Sequence, residues 1–174
     1  MRFITSPPLP EVLIIEPEIF EDDRGYFTEV YHQKKFYDAG IKGDFVQDNR
    51  SLSHQGTIRG LHYQLGRPQG KLTWALAGEV FDVVVDIRKS SPTFGKWFGI
   101  TLSDRSKRGL YIPPDFAHGF CVLSERAEFF YKCTDFYSPN HERCIRWDDP
   151  DLAIDWPIRN PTLSERDKNC PFLK

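Results

Sequence analysis

The stretch EVFDVVVDIR, Glu79 to Arg88, decides the fold. Val80, Val83, Val85 and Ile87 carry branched β-carbons, which fit a pleated strand and lose rotamer freedom in a helix. Asp82, Asp86 and Arg88 share the opposite face of its later half, which predicts a solvated or ion-paired surface there. Outward from this strand, similar runs recur about every 8 to 12 residues, the spacing of an all-β barrel or sandwich. Upstream they are Lys71 to Leu76, Thr57 to Gln64 and Asp44 to Asp48; downstream they are Lys96 to Leu102, Arg108 to Ile112, His118 to Leu123 and Ala127 to Phe136. From Glu11 to Val30, VLII and YFTEV flank the turn-like Glu21 to Gly25 and predict two strands with a tight connection. Gln33 to Ala39 predicts a short helix closed by Gly40. After Phe136 the composition turns to Pro, Asn, Asp, Trp and Arg, as expected of loops and short turns laid over a barrel.

A chain of 174 residues holds one well-buried core and is short for two enzyme domains, so one domain over 1–174 is expected. Its barrel should occupy about 11–136, with loops and turns from 137 to 174. Aromatic residues make up 14%, more than a helical bundle needs, which favours sheets and a pocket. The net charge of -2 and the scattered positive residues argue against a nucleic-acid groove. Cys121, Cys133, Cys144 and Cys170 form no CxxC pair, so a zinc knuckle is not expected. Pro7, Pro8 and Pro10 interrupt the N-terminus where a signal peptide needs an apolar core, and no apolar run approaches membrane-spanning length. The expectation is a soluble, cytoplasmic protein with reduced thiols.

The chemistry concentrates in RGLHYQLGRPQGK, Arg59 to Lys71. An imidazole beside two fixed cations is a candidate base next to an anion site: it could take a proton from carbon while the cations hold the resulting enolate oxygen. The same residues also read as two surface charges and a core histidine. A small β-barrel with a downstream PPDFAH invites comparison with the metal-binding cupins, which carry an HxH pair. Here Gln64 takes the place of the second imidazole, leaving only His62 and His118 as good ligands, too few for a catalytic transition metal. Protein groups must then stabilise the enolate. Tyr131, in AEFFYKCTDF, is a strand phenol that could donate a proton, or equally a core aromatic. Arg24 and Glu29, the run Gln47, Asp48 and Asn49, and Arg59, Lys71 and His118 read as an anion and sugar clamp, or singly as surface groups.

Taken together, FVQDN (Phe45 to Asn49), RGLHYQ (Arg59 to Gln64), PQGK (Pro68 to Lys71), GEVFDVVVDIRKSSPTFGKW (Gly78 to Trp97), IPPDFAHGF (Ile112 to Phe120), EFFYKCTDFYSPNHE (Glu128 to Glu142) and IRWDDPDLAIDWP closely resemble the dTDP-4-dehydrorhamnose 3,5-epimerases. The likeness runs from about Glu11 to Asp167 in the same order. It implies an all-β, cupin-type jelly roll with short peripheral helices, free of metal and cofactor, and a homodimer whose N-terminal strands cross to the partner. It implies inversion of C3 and C5 of dTDP-4-dehydro-6-deoxy-D-glucose to give dTDP-4-dehydro-L-rhamnose, in dTDP-L-rhamnose biosynthesis. His62 matches the family's base, Tyr131 its acid, Lys71 the cation at the enolate oxygen and Asp167 the carboxylate that fixes the base's tautomer. For Asp167 a helix N-cap is the competing role. Substrate binding is implied for Arg24, Glu29, Gln47, Asp48, Asn49, Arg59, His118 and Glu142, with Tyr137 on the thymine ring. Arg166 stands where the family often has lysine, and Asp115 where it commonly has glycine. Relatives that invert one carbon or shift the keto group are the alternative reading, and a non-catalytic nucleotide-sugar binding module is the remaining one.

Overall fold

The computed structural model describes all residues, Met1–Lys174. Its strands are β1 (Arg2–Thr5), β2 (Leu13–Glu16), β3 (Ile19–Asp22), β4 (Gly25–Thr28), β5 (Gln47–His54), β6 (Ile58–Gln64), β7 (Lys71–Ala77), β8 (Glu79–Asp86), β9 (Trp97–Ser103), β10 (Gly109–Ile112), β11 (Phe116–Val122), β12 (Arg126–Cys133) and β13 (Glu142–Cys144). Two short helices, α1 (Gln33–Asp38) and α2 (Glu165–Lys168), complete the chain. One sheet has the order β1-β2-β10-β7-β12-β5 and the other β13-β6-β11-β8-β9, while β3 and β4 form a separate hairpin. This is an antiparallel double-sheet jelly roll, within the barrel or sandwich class expected from the strand spacing and of the type the family resemblance implies. The sheets reach beyond 11–136, taking in β1 at one end and β13 at the other.

Three apolar layers follow from which faces are covered. Between the sheets lie Leu9, Val12, Val80, Val84, Leu102, Leu110, Phe120 and Phe129. Phe120 of β11 and Phe129 of β12 stack with centroids 4.1 Å apart, joining one sheet to the other. The outer face of the five-stranded sheet buries Leu61, Val83, Val85 and Ala117 beneath Ile145, Leu152 and Trp156 of the C-terminal segment. The outer face of the six-stranded sheet buries Leu72 and Trp74 beneath Phe36 of α1 and Ile41.

Because β8 is covered on both faces, the expected wet surface at Asp82 and Asp86 is absent: both are fully buried. Asp86 is ion-paired, as its sequence allowed, but inside the fold, where Arg88, Ser91 and Thr93 hydrogen-bond its carboxylate. Burial works against this charge, and those bonds outweigh it to hold the group well below the usual carboxylate range. The expectation of reduced thiols is also corrected for two cysteines: Cys144 and Cys170 form a disulfide, while Cys121 and Cys133 are free and buried. No helix is long and apolar enough to cross a membrane.

Candidate active site

A cavity of about 780 Å³ opens between the sheets, lined among others by Arg59, His62, Lys71, His118, Tyr131 and Asp167. Its first wall is β6. There Gly60, with φ +110°, comes so close to β11 that an added Cβ would lie 2.6 Å from Gly119 Cα and from His118 O. Only glycine permits that approach, and the register it allows sets His62 opposite His118. His62 Nε2 lies 2.6 Å from Asp167 Oδ1. Asp167 is buried on α2, and Ser164, not Asp167, is the N-cap: its hydroxyl accepts from the Asp167 backbone N–H at 3.0 Å. Burial raises the Asp167 carboxyl, but hydrogen bonds from His62, Ser164 and the Gly60 backbone prevail and keep it below the usual carboxylate range.

The second wall belongs to the other sheet. Lys71 opens β7 and is only 9% exposed, yet no carboxylate ion-pairs with it. Burial pulls its pKa down, opposed by Cys133, Glu142 and Asp82. Tyr131 projects from β12 with its ring against the core, 6.2 Å from Phe129. Burial is the main cause that pushes its pKa up to about 12, so at neutral pH the phenol is a proton donor. The cavity therefore opposes an imidazole backed by a carboxylate on one sheet to a phenol and an ammonium on the other.

Beneath it, His118 Nε2 meets Asp82 Oδ1 at 2.5 Å, and Thr73 Oγ1 donates to Asp82 Oδ2 at 2.8 Å. Burial lowers the His118 pKa against the pull of Asp82. Asp82 and Thr73 were missed by sequence reading, since an alternating pattern does not distinguish a polar cavity floor from a wet surface.

Of the expected binding residues, Asp48, Asn49, Arg59, His118 and Arg166 line the cavity. Arg59 is steadied by its Nε bond to Ser53 Oγ at 2.9 Å, and Asp48 pairs with Lys132 at 2.7 Å. Tyr137 and Glu142 are not among the lining residues but are tied to the cavity through Arg166: Tyr137 donates its hydroxyl to Glu142 at 2.6 Å, and Arg166 donates to the same carboxylate oxygen at 2.5 Å. Gln47 spends its amide internally, accepting from the Tyr137 backbone N–H at 2.7 Å and donating to Asn49 at 2.9 Å. Gln64 was read only as a missing metal ligand, but it clamps the same loop: its Oε1 accepts from Ser138 N at 2.6 Å and its Nε2 donates to Arg67 O and Phe136 O. Arg24 and Glu29 are not brought to this cavity. Arg24 binds Asp22 on the exposed β3–β4 hairpin, and Glu29 binds Lys35. His, Cys, Asp and Glu side chains nowhere gather in threes that could hold a metal.

On a jelly roll of the cupin type, an imidazole backed by a carboxylate thus faces a phenol and an ammonium, and likeness to known proteins sets the class, an isomerase. The model of the dTDP-4-dehydrorhamnose 3,5-epimerase family matches residues 6–174. The curated dTDP-4-dehydrorhamnose 3,5-epimerase of Pseudomonas aeruginosa is 57% identical over 94% of this chain and 92% of its own. The solved dTDP-6-deoxy-D-glucose-3,5-epimerase of Legionella pneumophila, in complex with dTDP-4-keto-L-rhamnose, is 51% identical with a TM-score of 0.96, covering 99% of this chain and 92% of its own. A 3'-monoepimerase from Streptomyces bikiniensis, in complex with dTDP-quinovose, has a TM-score of 0.91 at 33% identity, covering 98% of this chain and 87% of its own. The chain belongs to the dTDP-4-dehydrorhamnose 3,5-epimerase family and is an isomerase acting on carbohydrates.

Proposed function

We propose that this protein inverts C3 and C5 of dTDP-4-dehydro-6-deoxy-D-glucose, giving dTDP-4-dehydro-L-rhamnose for dTDP-L-rhamnose biosynthesis, with its own side chains as base, acid and oxyanion partner. The observation that carries this is the 2.6 Å His62–Asp167 contact facing Tyr131 and the unpaired, buried Lys71 across one cavity. The C4 ketone acidifies both neighbouring carbons. His62 takes the proton from one of them, and Asp167 steadies the imidazolium that forms. Lys71 balances the charge gathering on the C4 oxygen, where a buried ammonium acts more strongly than one in water. Tyr131 then delivers a proton to the opposite face of the same carbon, and the cycle repeats at the second carbon. Each half-reaction moves one proton off and one on, with no change of oxidation state.

Arg59, His118, Asn49 and Asp48 hold the sugar and phosphates; Tyr137 stacks on the thymine, with Gln47, Glu142 and Arg166 arranging it. The residues act within a single domain, 1–174, in the cytoplasm. Arg24 and Glu29 serve as binding residues in a homodimer, where the hairpin Ile19 to Thr28 reaches a partner's cavity. The exposure of Phe20, Tyr26 and Phe27, at 54%, 58% and 70%, supports that partner. The likeness to a 3'-monoepimerase makes inversion at one carbon the second reading. Incubation with the 4-keto sugar nucleotide in D2O tests both: deuterium at C3 and C5 is expected. Label at one carbon would support the mono-epimerase, and none would overturn the enzymatic reading.

A further inference from the structure

The Cys144–Cys170 disulfide joins residues 26 apart, with their Cα atoms 5.5 Å from each other. Cys144 stands directly opposite His62 in the ladder between β13 and β6. Cys170 follows α2, and its Sγ lies 3.4 Å from the Arg166 carbonyl, the residue before Asp167. The bridge thus links the strand beside the imidazole to the segment that carries the imidazole's carboxylate. That segment needs a fastening. α2 is one turn of four residues, too short to be stable alone; Ser164 caps its N-terminus, and past Cys170 the chain is tied again at Pro171 and Leu173.

We propose that Cys144 and Cys170 are positioning residues for the reaction: their disulfide holds Asp167 at bonding distance from His62, and the rate of proton abstraction follows the thiol–disulfide state of this pair. The inference rests on the reading of His62 as the base. Disulfides in a reducing cytoplasm are uncommon and, where present, are usually redox-active. Access is provided by a second cavity of about 560 Å³, lined by Cys144 with Tyr63, Ile145, Phe172 and Leu173, which shares no lining residue with the substrate cavity. A dithiol entering there attacks the Cys144 sulfur as its thiolate. The S–S bond breaks, Cys170 leaves as a thiolate and takes a proton, and the second thiol of the reductant displaces Cys144 while closing its own disulfide. Two electrons and two protons pass to the protein, and the oxidised form of the same reductant class reverses the exchange. Cys121 and Cys133, at 0% and 1% exposure, stay out of it.

The test follows deuterium entry at C3 and C5 of the 4-keto sugar nucleotide, together with a thiol titration in denaturant. Oxidised protein is expected to present only Cys121 and Cys133, and dithiol-treated protein all its cysteines. Reduction should slow exchange by about tenfold, since misplacing a reacting pair by about 1 Å can cost up to a hundredfold. The Michaelis constant should change by less than kcat falls, because among the binding residues only Glu142 and Arg166 lie on the two bridged segments, while Asp48, Asn49, Arg59 and His118 lie on other strands. Cys144→Ser and Cys170→Ser should match the reduced wild type and be indifferent to dithiol. In an Asp167→Asn background the thiol state should cease to matter, because the contact it positions is gone. Equal rates in both states, an equal loss on reduction in the Asp167→Asn background, or all cysteines titrating in oxidised protein would overturn the proposal. Oxidised wild type that exchanges no hydrogen would instead bring down the functional reading beneath it.

Discussion

Replacing Asp167 by Asn removes one negative charge while retaining the side-chain volume and the backbone bond from Asp167 N to Ser164 Oγ, so α2 keeps its cap. What is lost is the charge-assisted half of the 2.6 Å contact with His62. That contact strengthens as His62 becomes an imidazolium, so its value appears in the transition state more than in the bound substrate. Hydrogen bonds to charged groups contribute about 1.5 to 3 kcal/mol, and each 1.36 kcal/mol is a factor of ten, so kcat should fall between about tenfold and about 150-fold. The Asp167 side chain is 5% exposed and occupied by the imidazole, so KM should change by less than about threefold. The assay is the initial rate of deuterium entry at C3, which reports proton abstraction before inversion or product release. Stability gives an independent check. A carboxylate whose folded pKa is depressed adds stability above its unfolded pKa, and that contribution is lost as pH falls through the folded value. The stability gap between wild type and variant should therefore be constant near neutrality and close on acidification. A kcat within twofold of wild type, or a loss carried wholly by KM, would refute the role given to Asp167.

Tyr131→Phe should retain exchange at C3 within about tenfold while the yield of inverted product collapses; undiminished inverted product would remove Tyr131 as the acid. With its pKa near 12, Tyr131 should also contribute no alkaline fall in rate below about pH 10, as a rate profile will test. Lys71→Met should cut kcat by at least about a hundredfold yet raise the melting temperature by several degrees, because an ammonium buried without an ion-pair partner keeps a desolvation cost on the order of several kcal/mol. Since the folded lysine's pKa lies below the usual value, wild-type stability should rise with pH between the folded and unfolded values, shrinking the variant's advantage. Phe27→Glu, on the exposed hairpin, should shift the protein to monomer in sedimentation; an unaltered dimer would place the interface elsewhere. Treatment with a chelator should leave exchange unchanged, and a loss restored by a divalent ion would revive metal chemistry.

Sequence gave access to the barrel wherever one face of a strand met the core. Val80, Val83 and Val85 fixed β8, and the strands around it lay within a few residues of their expected bounds. β5 escaped: Asp44 to Asp48 was expected, whereas the strand is Gln47–His54. Its inward positions Asn49, Ser51 and Ser53 line a polar cavity, so alternation is present without its usual apolar signal. Asp82 failed for the related reason that a central strand covered on both sides offers no wet face. The first strand of the early hairpin was merged with β2, and β13, with only three residues, carries too little pattern to register. α2 did leave a trace, since Ser164 precedes Asp167 at the spacing of a helix cap, though the residues between gave no periodicity. His62, Lys71 and Tyr131 were singled out through motifs shared with a family, and all three line the one cavity. The disulfide was hidden because compartment, not spacing, governed the expectation for the cysteines.

On the proposed mechanism, the stack of Phe120 on Phe129 is a gauge block for catalysis. Proton removal is assigned to one sheet and proton return to the other, and this aromatic pair is a direct spacer between them at 4.1 Å between centroids. Thinning or thickening it by a methylene should shift Tyr131 and Lys71 together relative to His62 without substituting any reacting side chain. Divergence in which sugar carbon is reached can therefore begin in the hydrophobic core, at positions no inventory of polar residues would include. A designer seeking a new ring size or stereochemical outcome would start at Phe120 and Phe129 and retain the machinery above them.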